Sequence, residues 1–303
     1  MNAHLSSRIT GIIVPILTPI DKNERIDEAK MRKQVNYVID GGVHGILAFG
    51  SNGEFYMVDD DEMERGMSIM LDEAKDRVPV FFGIGAIKTS KCVAYAKMAQ
   101  SLGAFGISVL PPMFIAPNED ELYVHFKLIA DAVPNIPMLM YNNPGRVGYP
   151  LTVNLVQRLA ADVKNIVGIK DSSGDMTITS EYIRRTKGLD FKVFGGKDTL
   201  IYGTLAHGGA GAVCTTANIF PELVSSIYET YVKGDTKASL EAQFRLNPVR
   251  LSMDKASFPV ATKDMANING LDVGLPFAPN KISSGGVLDL MTEEMRKAGL
   301  LNT

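Results

Sequence analysis

Eight short apolar runs punctuate the chain, most of them closed by Gly, Pro or Asn: GIIVPILTP (11–19), HGILAFG (44–50), VPVFFGIG (78–85), FGISVLPP (105–112), IPMLMYNNP (136–144), NIVGIKDSS (165–173), FKVFGG (191–196) and GAGAVCTTAN (209–218). They are apolar almost throughout rather than alternating, as strands buried on both faces must be. Between them lie segments of helical period, among them DEAKMRKQVNYVIDGG, DDDEMERGMSIMLDEAKDR, SKCVAYAKMAQSLG, EDELYVHFKLIADAV, TVNLVQRLAADV, ITSEYIRRTKG and LIYGTLAHGG. Several open on acidic or hydroxyl residues and close on Gly, the usual start and stop of a helix. A strand–helix unit repeated eight times predicts an α/β fold, a (β/α)8 TIM barrel over 1–218. After Asn218 the alternation stops, and a C-terminal helical region packed on the barrel is expected over 219–303. An open doubly wound sheet is the alternative, but no GxGxxG follows the first strand.

Composition narrows the function classes. With 303 residues, 46% of them apolar, the chain can bury a large core. A net charge of −3 and the lack of a long basic run argue against nucleic acid or an anionic membrane as partner. Cys92 and Cys214 stand alone in apolar segments, which suits reduced core thiols of a cytoplasmic protein. The first residues, MNAHLSSRIT, carry no long apolar stretch with a cleavage site, and no segment offers a membrane span, so a cytoplasmic location is expected.

In such a barrel the chemistry sits at the C-terminal strand ends. Those ends present Thr18, then Gly50-Ser51-Asn52-Gly53-Glu54, Pro111-Pro112, Tyr141-Asn142-Asn143-Pro144 with Arg146, Lys170-Asp171, Gly195-Gly196-Lys197-Asp198 and Thr215-Thr216. Lys170 interrupts the apolar run VGIK. A lysine pointing into a dehydrated barrel has its ammonium disfavoured, which yields the free amine needed to attack a carbonyl; one that snorkels to the rim stays charged. The glycines of GSNGE let backbone N–H groups approach an anion, although the same residues also make an ordinary turn. Tyr141 is a phenol able to act as general acid or base, or simply to pack at a strand end. Lys197 and Asp198 read as a solvated pair. His4, His44, His125 and His207 lie on separate segments without HxH or HExxH spacing, and no GxxxxGK[ST] loop occurs, so no metal site and no required cofactor is expected.

Taken together and in order, VPILTP, GSNGE, YNNPGRVG, GIKDSSG, GGKD and GAVCTTAN resemble the pyruvate-dependent class I aldolases and lyases. That family includes dihydrodipicolinate synthase, N-acetylneuraminate lyase and 2-keto-3-deoxy sugar acid aldolases. The resemblance implies Lys170 as the Schiff-base lysine, Tyr141 as the catalytic phenol, and Ser51 with Asn52 as the loop that holds the keto-acid carboxylate. It further implies that Gly196 and Val213 border a pyruvate pocket, that Thr18 supports its base, and that the chain is a homo-oligomer, commonly a tetramer. The substrates it implies are pyruvate and a small polar or acidic aldehyde.

Three departures bear on the subtype. The synthases usually carry two threonines where Ser51 and Asn52 stand, and a proton-relaying tyrosine after strand four where this chain reads PPMFIAP; neither Met113 nor Phe114 can carry a proton. Thr199 follows Asp198 where neuraminate lyases place an acid. Arg146 matches the synthases' carboxylate-binding arginine, unless a carboxylate of the protein holds it. The expected activity is therefore retro-aldol cleavage of a 4-hydroxy-2-oxo acid of the 2-keto-3-deoxy sugar acid or 4-hydroxy-2-oxoglutarate type. The alternatives are dihydrodipicolinate synthase, and a catalytically dormant pyruvate-binding regulator on the same barrel.

Overall fold

All eight apolar runs contain strands, shorter than the runs themselves: β1 (Gly11–Pro15), β2 (Gly45–Ala48), β3 (Val80–Ile84), β4 (Gly106–Val109), β5 (Met138–Asn142), β6 (Ile166–Asp171), β7 (Lys192–Gly195) and β8 (Gly211–Val213). They pair in parallel, in chain order, and β8 returns to β1, closing the barrel. This computed structural model describes Ser6 and residues 8–301. The helices are α1 (Glu28–Asp40), α2 (Asp60–Ala74), α3 (Thr89–Leu102), α4 (Glu119–Ala132), α5 (Pro144–Val147), α6 (Val153–Asp162), α7 (Met176–Arg185), α8 (Ile201–Ala206), α9 (Pro221–Val232), α10 (Thr236–Ser252), α11 (Val260–Ile268) and α12 (Gly285–Lys297). Among the described residues no helix is long and apolar enough to cross a membrane.

The strands are apolar on both faces because each face meets a different core. Ile13, Leu47, Phe81, Leu139, Val167, Phe194 and Val213 point inward and fill the barrel. Ile12, Ile46, Phe82, Ile107, Met138, Ile169 and Ala212 point outward and join the layer of helices. At Gly168 the approach of neighbouring strands forbids a side chain: a Cβ there would lie 2.5 Å from the Lys192 carbonyl oxygen and 2.8 Å from Leu139. Helix starts follow their sequence signals. Asp27 accepts from the Lys30 N–H at the start of α1, and Asn118 and Glu121 form a reciprocal capping box on α4.

Past β8, α9 packs on β1 and on α10, and α12 packs on α10 and α11. Helix α11 lies against the turn Thr215–Asn218 and so reaches the end of the barrel where the strands terminate. The one-turn helix α5 follows β5 where the sequence pattern assigns no helix; Pro144 at its first position favours it, and Gly148 ends it at φ 93°.

Buried His125 on α4 is the clearest acid-sensitive group. Its Nδ1 lies 2.9 Å from the Thr89 hydroxyl oxygen, its Nε2 has no hydrogen-bond partner among the described residues, and burial pushes the imidazole down to about 4. Between the ordinary value of 6.5 and that value the unfolded chain binds a proton that the folded chain does not. Stability therefore falls as pH is lowered through this window. The loss attributable to His125 is about 3 kcal/mol. Urea midpoints of the wild type and of His125→Leu, compared between pH 7 and 4, should show the shallower acid limb in the variant.

Candidate active site

Strands β5 and β6 run in register, with Tyr141 opposite Lys170 and Asn142 opposite Asp171. Residues at one register position face the same side, so the first pair points into the mouth of the barrel and the second toward the helices. Lys170 Nζ sits 4.1 Å from the centroid of the Tyr141 ring, and both residues are buried. Lys170 therefore lies within the barrel mouth and does not reach out to the rim.

The phenol of Tyr141 is the centre of a small hydrogen-bonded group. Asn143 Nδ2 donates to its oxygen at 2.7 Å, and the hydroxyls of Ser51 and Ser172 also bond to it. Burial alone would push this phenol up. The charge of Lys170 and the three hydrogen bonds outweigh burial, and hold it below the ordinary tyrosine value. Lys170 thus lies buried beside a phenol held below its ordinary value.

The loop after β2 supplies the second wall. Thr18 Oγ1 donates to the Gly53 carbonyl at 2.9 Å and supports the loop from β1. At Gly53 a Cβ would lie 3.0 Å from the Ile16 carbonyl oxygen, so the close approach of the two segments suits glycine. Ser51 points to Tyr141, whereas the Asn52 amide turns away. Its Nδ2 donates to Thr215 Oγ1 at 2.9 Å, and its Oδ1 accepts from Thr262 Oγ1 at 3.1 Å. What Asn52 can offer a ligand is its backbone rather than its side chain.

The remaining predicted residues divide between mouth and scaffold. Gly196 follows β7, and a Cβ there would come within 2.0 Å of Ser172 Oγ, so only glycine fits beside that hydroxyl. Val213 is buried in the layer that fills the barrel. Asp171 turns away from the mouth and accepts from Asn142 Nδ2, the Ser173 N–H and hydroxyl, and Thr179 Oγ1. Asp198 corrects the expectation of a solvated pair with Lys197: it is buried, and its Oδ2 accepts from both the N–H and the hydroxyl of Thr216 at 2.6 Å. Arg146 is exposed on α5 with its guanidinium stacked on Phe258, 4.7 Å from the ring centroid. Among the described residues no carboxylate pairs with it, so the protein leaves its donor fork open.

Several participants are not evident from the sequence reading. Ser172 carries a signal: two residues beyond Lys170, it falls on the same face of the extended chain. Asn143 donates to the Tyr141 phenol. Thr262, Lys263 and Phe258 come from the C-terminal region, whose helical pattern gives no hint that α11 meets the loop after β2. Of the histidines, His4 lies outside the described residues. Among the described residues no group of three or more His, Cys, Asp or Glu is placed to hold a metal ion.

Known proteins resemble the chain along nearly its whole length. The 4-hydroxy-tetrahydrodipicolinate synthase of Methanopyrus kandleri is 32% identical over 97% of this chain and 98% of its own. The protein of the same name from Methanosarcina acetivorans is 34% identical over 96% and 99%. The crystal structure of dihydrodipicolinate synthase from Thermotoga maritima superposes with a TM-score of 0.93 at 29% identity, over 96% of this chain and 99% of that one. Fold, site and likeness define an enzyme of the pyruvate-dependent class I lyases and synthases. The chain belongs to the dihydrodipicolinate synthetase family, whose model matches residues 8–284.

Proposed function

We propose that the protein is an imine-forming aldolase that cleaves a 4-hydroxy-2-oxo acid, of the 2-keto-3-deoxy sugar acid or 4-hydroxy-2-oxoglutarate type, to pyruvate and a polar or acidic aldehyde. The observation that carries this reading is the buried pair itself, Lys170 Nζ over the Tyr141 ring at 4.1 Å with the phenol held by Ser51, Ser172 and Asn143. Binding alone would require neither the amine nor the phenol, which weighs against a dormant regulator.

In this mechanism the Lys170 amine adds to the C2 carbonyl, and the carbinolamine loses its hydroxyl as water on a proton delivered by Tyr141. The phenolate then takes the proton of the 4-hydroxyl as the C3–C4 bond breaks. The bonding pair flows into the iminium to give an enamine, and C4 leaves as the aldehyde. Protonation at C3 and hydrolysis of the imine release pyruvate and restore the lysine. Ser51 and the backbone at Asn52 hold the keto-acid carboxylate, with Thr18 beneath the loop and Gly196 and Val213 bordering the pocket. Arg146, exposed and paired with no carboxylate among the described residues, suits an anionic group on the aldehyde portion, because its planar fork donates two parallel hydrogen bonds. The reacting groups belong to the barrel, 1–218, while 219–303 covers and braces it. The working form is a cytoplasmic homo-oligomer, a tetramer by resemblance, and exposed Phe114 and Ile115 are apolar surface that another subunit could cover.

A second reading, 4-hydroxy-tetrahydrodipicolinate synthase acting on pyruvate and aspartate semialdehyde, is favoured by the names of the relatives and by Arg146. Against it stands the segment after β4, where Phe114 is 89% exposed and no phenol replaces it; Tyr149 instead donates to the Pro112 carbonyl. The two separate in a paired assay. The aldolase releases pyruvate from a panel of 2-keto-3-deoxy acids and leaves aspartate semialdehyde untouched, and pyruvate-dependent loss of the semialdehyde without cleavage of the panel would overturn the first reading in favour of the second.

A further inference from the structure

Beyond the strand ends lies an ion pair with no access to solvent. Lys263 Nζ of α11 lies 2.6 Å from Glu54 Oε1, and both side chains are 0% exposed. Lys263 also donates to the Leu275 carbonyl at 2.9 Å, and Glu54 Oε2 accepts from the Phe277 N–H at 3.3 Å. Removing two charges from water is costly, and a pair of this kind is neutral or unfavourable for stability compared with apolar residues of the same volume. Its position in the chain is informative. Glu54 is three residues from Ser51, it occupies the left-handed region at φ 52°, and the Asn52 side chain between them is held by the neighbour of Lys263, Thr262. Two adjacent residues of α11 thus grip the loop at two points, on either side of Gly53, which Thr18 supports from β1.

We propose that Lys263 and Glu54 are a positioning pair, through which α11 and the segment 275–277 fix the loop after β2 so that the Ser51 hydroxyl meets the Tyr141 phenol and the loop backbone faces the keto-acid carboxylate. This inference rests on the imine-forming reading of the site. A covalent strand connection alone leaves the loop free to rotate about Gly50 and Gly53. The pair removes that freedom, since a left-handed, fully buried Glu54 can satisfy its charge only where Lys263 stands. Direction matters as well: burial pushes the Lys263 amine down, and the Glu54 carboxylate beside it opposes that shift. Removal of either partner alone would leave the other side chain buried at 0% exposure without its ion-pair partner.

The test compares wild type, Ser51→Ala, the charge-free double variant Glu54→Gln/Lys263→Met, and the combination of all three changes. The readouts are melting temperature and the rate of borohydride-trapped pyruvate adduct as a function of pyruvate concentration. The double variant keeps side-chain volume and should melt within a few degrees of wild type. Its half-saturating pyruvate concentration should rise at least ~10-fold, the equivalent of about 1.4 kcal/mol of lost positioning. The combined variant should be no worse than the double variant, because the Ser51 hydroxyl is already displaced when the pair is gone. A double variant that binds pyruvate as wild type does, or effects that multiply with those of Ser51→Ala, would overturn the inference. If the double variant fails to fold, Glu54→Asp, which keeps both charges and shortens the arm by one methylene, carries the same comparison: a rise in half-saturation supports the pair, and wild-type saturation overturns it. Failure of the wild type to trap pyruvate overturns instead the reading on which the pair depends.

Discussion

Lys170→Ala should lose pyruvate release by a factor on the order of 10⁴ or more while remaining folded, since removal of a covalent nucleophile leaves only binding and polar stabilisation to catalyse the reaction. The side chain lies in the barrel mouth, stacked over Tyr141, and contributes to none of the hydrogen bonds that hold β6 in the sheet. Its loss removes the amine without disturbing Asn142 and Asp171, whose mutual bond at 2.8 Å faces the helices. Steady-state pyruvate release and a thermal melt on the same preparation measure both sides of this expectation. Substantial residual turnover in a folded variant would mean that another group attacks the carbonyl.

Tyr141→Phe should separate two steps that Lys170→Ala abolishes together. Phenylalanine keeps the ring under Lys170 but removes the oxygen to which Ser51, Ser172 and Asn143 bond. Imine formation should continue at reduced rate, and carbon–carbon cleavage should fall about 10²–10⁴-fold, the usual contribution of a positioned acid or base. The loss should appear in kcat rather than in KM, because proton transfer contributes in the transition state and not in binding. Near-normal turnover would remove the phenol from the mechanism and direct attention to Ser172.

The barrel is legible in the sequence because each strand must be apolar on both faces, and a run such as NIVGIKDSS can satisfy that only between a filled interior and a helical shell. Lys170 is legible for the same reason: a charged residue in such a run has to be explained. The one-turn helix α5 is hidden, because YNNPGRVGY reads equally as a turn, and only the geometry shows Arg146 resting on Phe258. Asp198 is hidden for a different reason. Its partner Thr216 is contributed by the following strand end, and nothing in GGKD reveals that contact. The largest omission is the grip of Thr262 and Lys263 on the loop after β2. Contacts across roughly two hundred positions leave no periodicity in one sequence, and the polar residues of ATKDMA look like the solvated face of a helix although the structure buries them.

In the proposed mechanism Lys170 forms a covalent imine with pyruvate, which borohydride reduces to a stable secondary amine. The wild-type chain incubated with pyruvate and borohydride should gain the mass of a reduced pyruvate adduct, located by peptide mapping on Lys170 and absent from Lys170→Ala. An unmodified wild-type chain, or an adduct that forms equally in Lys170→Ala, would contradict the account.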